Sequence, residues 1–199
     1  MLRKIKALVI LALFFIMFSG VTNNYCSAGT EKEKKYTKEF GIFSGCASGT
    51  LKRQDDYELI PLYFQFGLDV SNFFEKIHIK TKGSFKFIYE PFLNTIISPD
   101  SNIETGCDFV LKYSYPLMQK FSFYLDAGLG MMYSTQHTYE QGTQFNFTEQ
   151  AGGGIAFYFT ENKALNFGYR YRHFSNSDIE EPNKGVDVEF ILCGITILY

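Results

Sequence analysis

Apolar and polar residues alternate with a period of two along most of the chain beyond residue 38. The clearest stretches are 62–69, 85–90, 121–130 and 165–172. Because successive strand residues point to opposite faces, each stretch has one apolar and one more polar face. No comparably long stretch has helical spacing. We predict strands near 39–49, 57–69, 83–92, 103–115, 121–134, 147–160, 164–175 and 185–199.

Eight long alternating strands fit two all-β architectures. One is a soluble sandwich or barrel with its apolar faces inward, and the other is an outer-membrane barrel with its apolar faces outward. The more polar face carries Gly, Gln, Asp, Asn and Arg, which suits a polar lumen, and many aromatic residues lie at strand ends, where a membrane girdle needs them. These two features favour the membrane barrel.

The last strand is the third feature in favour of the membrane. Apolar residues alternate from Ile191 to Tyr199, which resembles the signal by which the barrel-assembly machinery recognises its clients. An unprotected apolar edge in a soluble protein would promote aggregation, and pairing this strand with the first would remove the edge. We therefore predict an eight-stranded antiparallel β-barrel of the outer membrane over residues 39–199.

The first 38 residues have the composition of a leader and a linker. Residues 1–28 predict a secretory signal peptide, with a basic start, a short apolar run and small residues before Gly29. Lipid attachment at Cys26 and an uncleaved anchor are the alternatives. Residues 29–38 predict a flexible polar lead-in. Cleavage would remove three basic residues and no acid, which changes the net charge from −2 to −5.

Composition narrows the function classes. The 22 Phe and 14 Tyr make up 18% of the chain, there is no Trp, and a single long uncharged apolar run excludes a helical membrane bundle. The acidic net charge gives no footprint for nucleic acid. Cleavage would leave Cys46, Cys107 and Cys193, whose spacing matches no metal motif. We expect at least one of these thiols to be unpaired. We also expect the cysteines to act as small apolar packing residues rather than as metal ligands.

The residues with catalytic chemistry lie in the last hairpin. His173 and Ser175 are two apart, so they share a face, and Asp187 and Glu189 have the outward parity of the final strand. If Ser175 lies opposite Gly185, then His173 lies directly opposite Asp187 and diagonal to Glu189. A serine needs a base to become a nucleophile, and the base needs an acid to orient it.

A His and a Ser two residues apart on a strand often occur by chance. Here, however, the shared face is the one that also carries Phe167, Tyr169 and Tyr171, and we predict that it faces lipid. Polar groups that face lipid are costly and are usually functional. The alternative interpretation is that these residues lie at the barrel rim, where they are exposed to water and have no function.

This hairpin also resembles a known family. The run 171–176, followed by 182–185 and a carboxylate, is similar to the C-terminal signature of the lipid A 3-O-deacylases and related outer-membrane deacylases. The resemblance implies an esterase that removes the acyl chain ester-linked at the 3-position of lipid A. It also implies these roles: Ser175 as nucleophile, His173 as general base, Asp187 as acid, Asn183 in oxyanion binding and Asn176 in support of the site.

The chain departs from the family pattern at two places. Well-known members usually have Glu where this chain has Asp187, so the contact with the imidazole could be longer, and Glu189 is the alternative acid. Ser177 and Asp178 stand where small residues are common, and a carboxylate beside a developing oxyanion would oppose it unless it turned away.

The resemblance further implies lipid A of lipopolysaccharide as the partner, within outer-membrane lipid. Its acyl chain would lie along Phe167, Tyr169 and Tyr171. The reaction needs no metal or cofactor. The competing hypothesis is a non-catalytic barrel with a structural or binding role and a degenerate site. The sequence leaves open which acyl chain is preferred and whether the protein forms a homodimer.

Overall fold

The structure is a computed structural model that describes residues 37–54, 56–79 and 81–199. The predicted signal peptide and almost all of the predicted lead-in lie outside these residues. The described elements are β1 (Lys38–Gly49), β2 (Tyr57–Ile60), β3 (Leu62–Asp69), α1 (Ser71–Lys76), β4 (Ser84–Ser98), β5 (Asn102–Met118), β6 (Phe121–Ser134), β7 (Phe145–Thr160), β8 (Lys163–Ser175) and β9 (Val186–Leu198).

The strands form one closed antiparallel ring. From β3 onward each strand pairs with the next strand in the chain, and β9 pairs with β1 along eleven residue pairs, which closes the barrel and leaves no sheet edge there. The predicted strand 57–69 is divided at Pro61 into β2 and β3. Both halves pair with β1 and with β4, so they share one position in the ring. The predicted eight-stranded barrel is confirmed, with one strand interrupted by a proline.

Two strands run further than the sequence predicts, and one helix was not predicted. β4 continues past Pro91 to Ser98: Pro91 keeps its place opposite Cys107 of β5, and the alternation of buried and exposed residues resumes after it. β5 extends to Met118. The connection between β3 and β4 contains α1, which has six residues and is too short to show helical periodicity.

The two ends of the barrel differ. The first and last strands begin and end together, with Lys38 and Tyr199 hydrogen-bonded through their backbones, and we call this the terminal end. The other end, the loop end, carries the connections that follow β1, β4, β6 and β8. Among the described residues, no helix is long and apolar enough to cross a membrane.

The outward face of the barrel is apolar, as predicted. Its exposed side chains include Phe66, Phe87, Phe109, Phe167 and Ile195. Cys46 and Cys193 are also exposed on this face, so these two cysteines are not packing residues as expected.

The lumen is polar from the terminal end to its middle. Glu39 binds the ammonium groups of Lys86 and Lys112 near the terminal end. In the middle, the guanidinium of Arg170 lies 2.6 Å from Glu90 Oε1. These groups are all buried, and each has an oppositely charged partner inside the barrel, which offsets part of the cost of removing it from water. The sequence prediction of a polar lumen is correct for this part.

The lumen near the loop end is packed with apolar side chains, which the sequence analysis did not predict. The cluster includes Phe43, Tyr63, Phe92, Phe174, Val188 and Phe190. Arg172 lies within it, paired with Glu104, and its guanidinium stands 4.8 Å from the centroid of the Phe190 ring. The strands at this end of the barrel therefore pack against a filled, mostly apolar interior.

Candidate active site

The last hairpin brings an imidazole and a carboxylate together on the outer surface at the loop end. His173 on β8 is directly opposite Asp187 on β9, which is the register expected from the sequence. His173 Nδ1 lies 2.7 Å from Asp187 Oδ1. This is a full hydrogen-bond distance, so the shorter aspartate side chain reaches the imidazole. The side chains are 38% and 59% exposed, so the pair is open to lipid or solvent.

Gly185 lies directly against the imidazole ring of His173. A Cβ atom at Gly185 would lie 2.3 Å from His173 Cε1 and 2.7 Å from Nε2, closer than any side chain tolerates. Gly185 also has φ of 66°, which favours glycine. The backbone before β9 therefore approaches the Nε2 side of the ring, while Asp187 holds Nδ1.

Ser175 is the last residue of β8 and shares the outward face with His173. It is half-buried and lies opposite Phe147 of β7. Because Asp187 occupies Nδ1, the second ring nitrogen, Nε2, is the one that could exchange a proton with a hydroxyl. Activation of a serine nucleophile requires a base that is oriented by an acid, and the hairpin carries His173 bound to Asp187 on the face that also carries Ser175.

The loop between β8 and β9 is held by Asn176. This residue is fully buried. Its backbone N–H donates to Asn183 Oδ1 at 2.9 Å and to Gln141 Oε1 at 3.1 Å. Its side-chain amide donates to the carbonyl of Glu180 at 2.7 Å and to that of Pro182. The sequence-predicted supporting residue thus ties both ends of the loop together and connects it to the loop after β6.

Asn183, the sequence-predicted oxyanion residue, is engaged on both sides of its amide. Its oxygen accepts the bond from Asn176, and its Nδ2 donates to Asp178 Oδ1 at 2.8 Å. Asp178 has φ of 61°, a left-handed conformation that is unusual for a residue with a side chain. The carboxylate that breaks the family pattern therefore binds the amide group that would face an oxyanion.

Two further carboxylates lie around His173. Glu189, the alternative acid, lies opposite Tyr171 and thus diagonal to His173. Glu149 on β7 lies directly opposite His173 from the other side, and the sequence analysis did not assign it to the site. The available signal was that Glu149 is an acid on an otherwise apolar outward face.

The predicted substrate-contact residues form the surface below the site, toward the terminal end. Phe167, Tyr169 and Tyr171 are all exposed on the outward face of β8. Tyr171 is also close enough to Asp187 for a side-chain hydrogen bond. Across β9 this surface continues with Ile191, which is 59% exposed. An apolar surface therefore leads directly to the imidazole.

Within the described ranges, no group of three or more His, Cys, Asp or Glu side chains is arranged to hold a metal ion.

Comparison with known protein families gives one match by a family model. The model for the lipid A 3-O-deacylase (PagL) family matches residues 58–196, which include all of β8, the loop after it and β9 as far as Thr196. A curated relative, the lipid A deacylase PagL of Bordetella bronchiseptica, is 36% identical over 69 residues. That stretch is 33% of this chain and covers only 36% of the relative's length.

Solved structures share the fold. The crystal structure of the outer membrane enzyme PagL has a TM-score of 0.53 and 16% identity, and the match covers 80% of this chain and 98% of that one. The crystal structure of Neisserial surface protein A has a TM-score of 0.59 and 14% identity, and covers 81% and 97%. At these identities the likeness concerns the barrel alone.

Proposed function

This chain belongs to the lipid A 3-O-deacylase family of the outer membrane, and from this membership we propose that it is a serine esterase acting on the 3-position acyl chain of lipid A. Ser175 is the nucleophile, His173 the general base and Asp187 the acid. The observation that carries the proposal is the 2.7 Å contact between His173 Nδ1 and Asp187 Oδ1, on the face that also carries Ser175.

The reaction proceeds through an acyl-enzyme. His173 Nε2 removes the proton from the Ser175 hydroxyl as its oxygen attacks the ester carbonyl carbon. Asp187 accepts a hydrogen bond from the Nδ1–H group and stabilises the imidazolium that forms. The tetrahedral intermediate then expels the 3-oxygen of the sugar, which takes the proton from Nε2. A water molecule, deprotonated by His173, releases the fatty acid and restores the serine.

The oxyanion needs donors that replace water. Asn183 Nδ2 supplies one of them when it exchanges Asp178 for the substrate oxygen. Its position is supported by the bond from the Asn176 N–H to its oxygen, which holds the amide next to the serine. The bond to Asp178 opposes this exchange, and we expect it to lower the rate.

The position of the site in the membrane fits a lipid A substrate. Outer-membrane barrels have short turns on the periplasmic side and longer loops outside. Two of the three connections at the terminal end, those after β5 and β7, are only two residues long, and the third contains α1. The connections after β6 and β8 at the loop end have ten residues each. The site therefore faces the outer leaflet, where lipid A resides, and the acyl chain lies along Phe167, Tyr169 and Tyr171.

Two partner predictions stay predictions from the sequence. The first is recognition by the barrel-assembly machinery, which the outward apolar residues that alternate along β9 support. The second is a homodimer.

The deciding experiment compares lipid A from cells that express the wild type, Ser175→Ala or Ser177→Ala. Mass spectrometry should show loss of one hydroxyacyl group with the wild type and with Ser177→Ala, the neighbouring serine control, and no loss with Ser175→Ala. Fragmentation of the product assigns the lost chain to the 3-position. Unmodified lipid A with all three proteins, each folded in the outer membrane, would favour the non-catalytic barrel. Loss with Ser175→Ala would rule out this nucleophile.

A further inference from the structure

The connection between β3 and β4 exposes large apolar side chains at the terminal end of the barrel. Phe73 in α1 is 61% exposed, and Ile77 and Ile79, which follow the helix, are 50% and 45% exposed. No residue of α1 is buried. Contiguous exposed apolar side chains of this size mark a contact surface.

This segment is attached to the outer wall of the barrel. The ring of Phe74 stacks on that of Phe85, with centroids 4.0 Å apart, and Phe85 in turn lies 4.8 Å from Tyr113. Phe85 and Tyr113 belong to the outward faces of β4 and β5. The Ser71 hydroxyl also accepts a hydrogen bond from the Phe85 N–H at 2.9 Å. The exposed apolar groups therefore continue the lipid-facing surface of the barrel.

The segment carries an excess of positive charge, which anionic headgroups attract. Lys76 ends α1 and Lys82 follows it, both exposed, and between residues 70 and 83 the sequence has three lysines and one acid. Apolar groups on one side and lysines beside them are typical of segments that lie in a membrane interface. Lysines near a leaflet with anionic lipids are attracted to its phosphates.

We propose that α1, with Ile77, Ile79 and Lys82, forms an interfacial anchor that inserts into the periplasm-facing leaflet. Phe73, Ile77 and Ile79 enter the boundary between headgroups and acyl chains, and the lysines bind anionic glycerophospholipid phosphates. The anchor sets the depth of the barrel from the side opposite the active site. This proposal is independent of the catalytic residues.

The absence of Trp from the chain allows a direct test. Phe73→Trp places a single reporter in α1, Phe109→Trp places one on the lipid-facing surface of β5, and Tyr139→Trp places one in a loop-end position that is 58% exposed. Each full-length protein is reconstituted in vesicles of phosphatidylethanolamine and phosphatidylglycerol with brominated phospholipids. Phe73→Trp should show blue-shifted emission and strong quenching, with bromines close to the headgroup more effective than for Phe109→Trp. Emission and quenching equal to those of Tyr139→Trp would overturn the proposal.

A second comparison tests the lysines. In the Phe73→Trp protein, Lys76→Glu with Lys82→Glu should reduce the quenching in vesicles that contain phosphatidylglycerol, and the difference should disappear in purely zwitterionic vesicles. Heat-dependent gel mobility checks that each variant is folded. Equal quenching with and without these substitutions in the anionic vesicles would remove the anionic headgroup from the proposal.

Discussion

Gly185→Ala is the substitution that most directly tests the proposed geometry of the base. The glycine makes no contact through a side chain, but the new methyl would lie 2.3 Å from His173 Cε1. Carbon atoms pack at about 3.5–4.0 Å, so the imidazole would have to retreat by more than about 1 Å. Because Asp187 holds the opposite side of the ring at 2.7 Å, this movement breaks or distorts that hydrogen bond.

The expected effect on catalysis is larger than the effect on stability. A misplacement of about 1 Å at a reacting group costs on the order of 10²-fold in rate. The φ of 66° adds backbone strain of about 1–2 kcal/mol for a residue with a side chain. The substitution should therefore lower kcat about 10²-fold, leave KM nearly unchanged because Gly185 does not contact the acyl chain, and reduce stability only modestly.

The assay measures kcat and KM on purified lipid A in detergent micelles, with thermal unfolding of the same samples. Lys184→Ala is the matched control, since this exposed neighbour should change neither quantity. His173→Ala gives the rate without a base. A folded Gly185→Ala protein with more than a third of the wild-type kcat would refute the proposed position of the imidazole in catalysis.

Three further predictions test the acid, the loop and the lumen. Asp187→Asn should lower kcat by on the order of 10²–10⁴-fold, because the imidazole loses its orienting carboxylate. Glu189→Gln should leave kcat nearly unchanged. The reverse result would identify Glu189 as the acid. Asp178→Gly should raise kcat, by no more than the 10²–10³ or so that one oxyanion donor supplies, and a fall would show that the carboxylate helps the loop. Arg172→Ala should lower the free energy of unfolding by about 3–5 kcal/mol because it leaves a buried carboxylate unpaired, and urea unfolding in micelles that shows no change would contradict this reasoning.

The sequence predicted the ring of strands well because parity is a local property. An alternating segment reveals its two faces without its neighbours, and this was enough to place His173 opposite Asp187 once the hairpin was taken as symmetric. The same parity assigned Arg170 and Arg172 to the lumen, where both now pair with carboxylates. The interruption of the strand at Pro61 depends on a single residue type, so the alternation of apolar and polar residues did not reveal it.

Other features depend on how distant strands meet, and no local pattern contains that information. The pairing of Glu149 with His173 depends on the register between β7 and β8, and a bulge between Tyr158 and Thr160 shifts that register. Likewise, parity shows that Phe190 points inward, but it does not show that the inward side chains of other strands form an apolar cluster around it. The sequence singled out Asp178 as a departure from the family pattern, but its bond to the Asn183 amide depends on the folded loop.

The apolar interior of the loop end explains how a precise site can exist on a lipid-facing surface. Along β8 and β9, outward His173 and Asp187 alternate with inward Phe174 and Val188, both almost completely buried. Because the side-chain period is two, a slip of one residue would move the site into the lumen and the core residues into lipid. The packing of the interior therefore fixes the register that brings His173 opposite Asp187. It follows that substitutions inside the barrel at this end can impair the outer site without touching it.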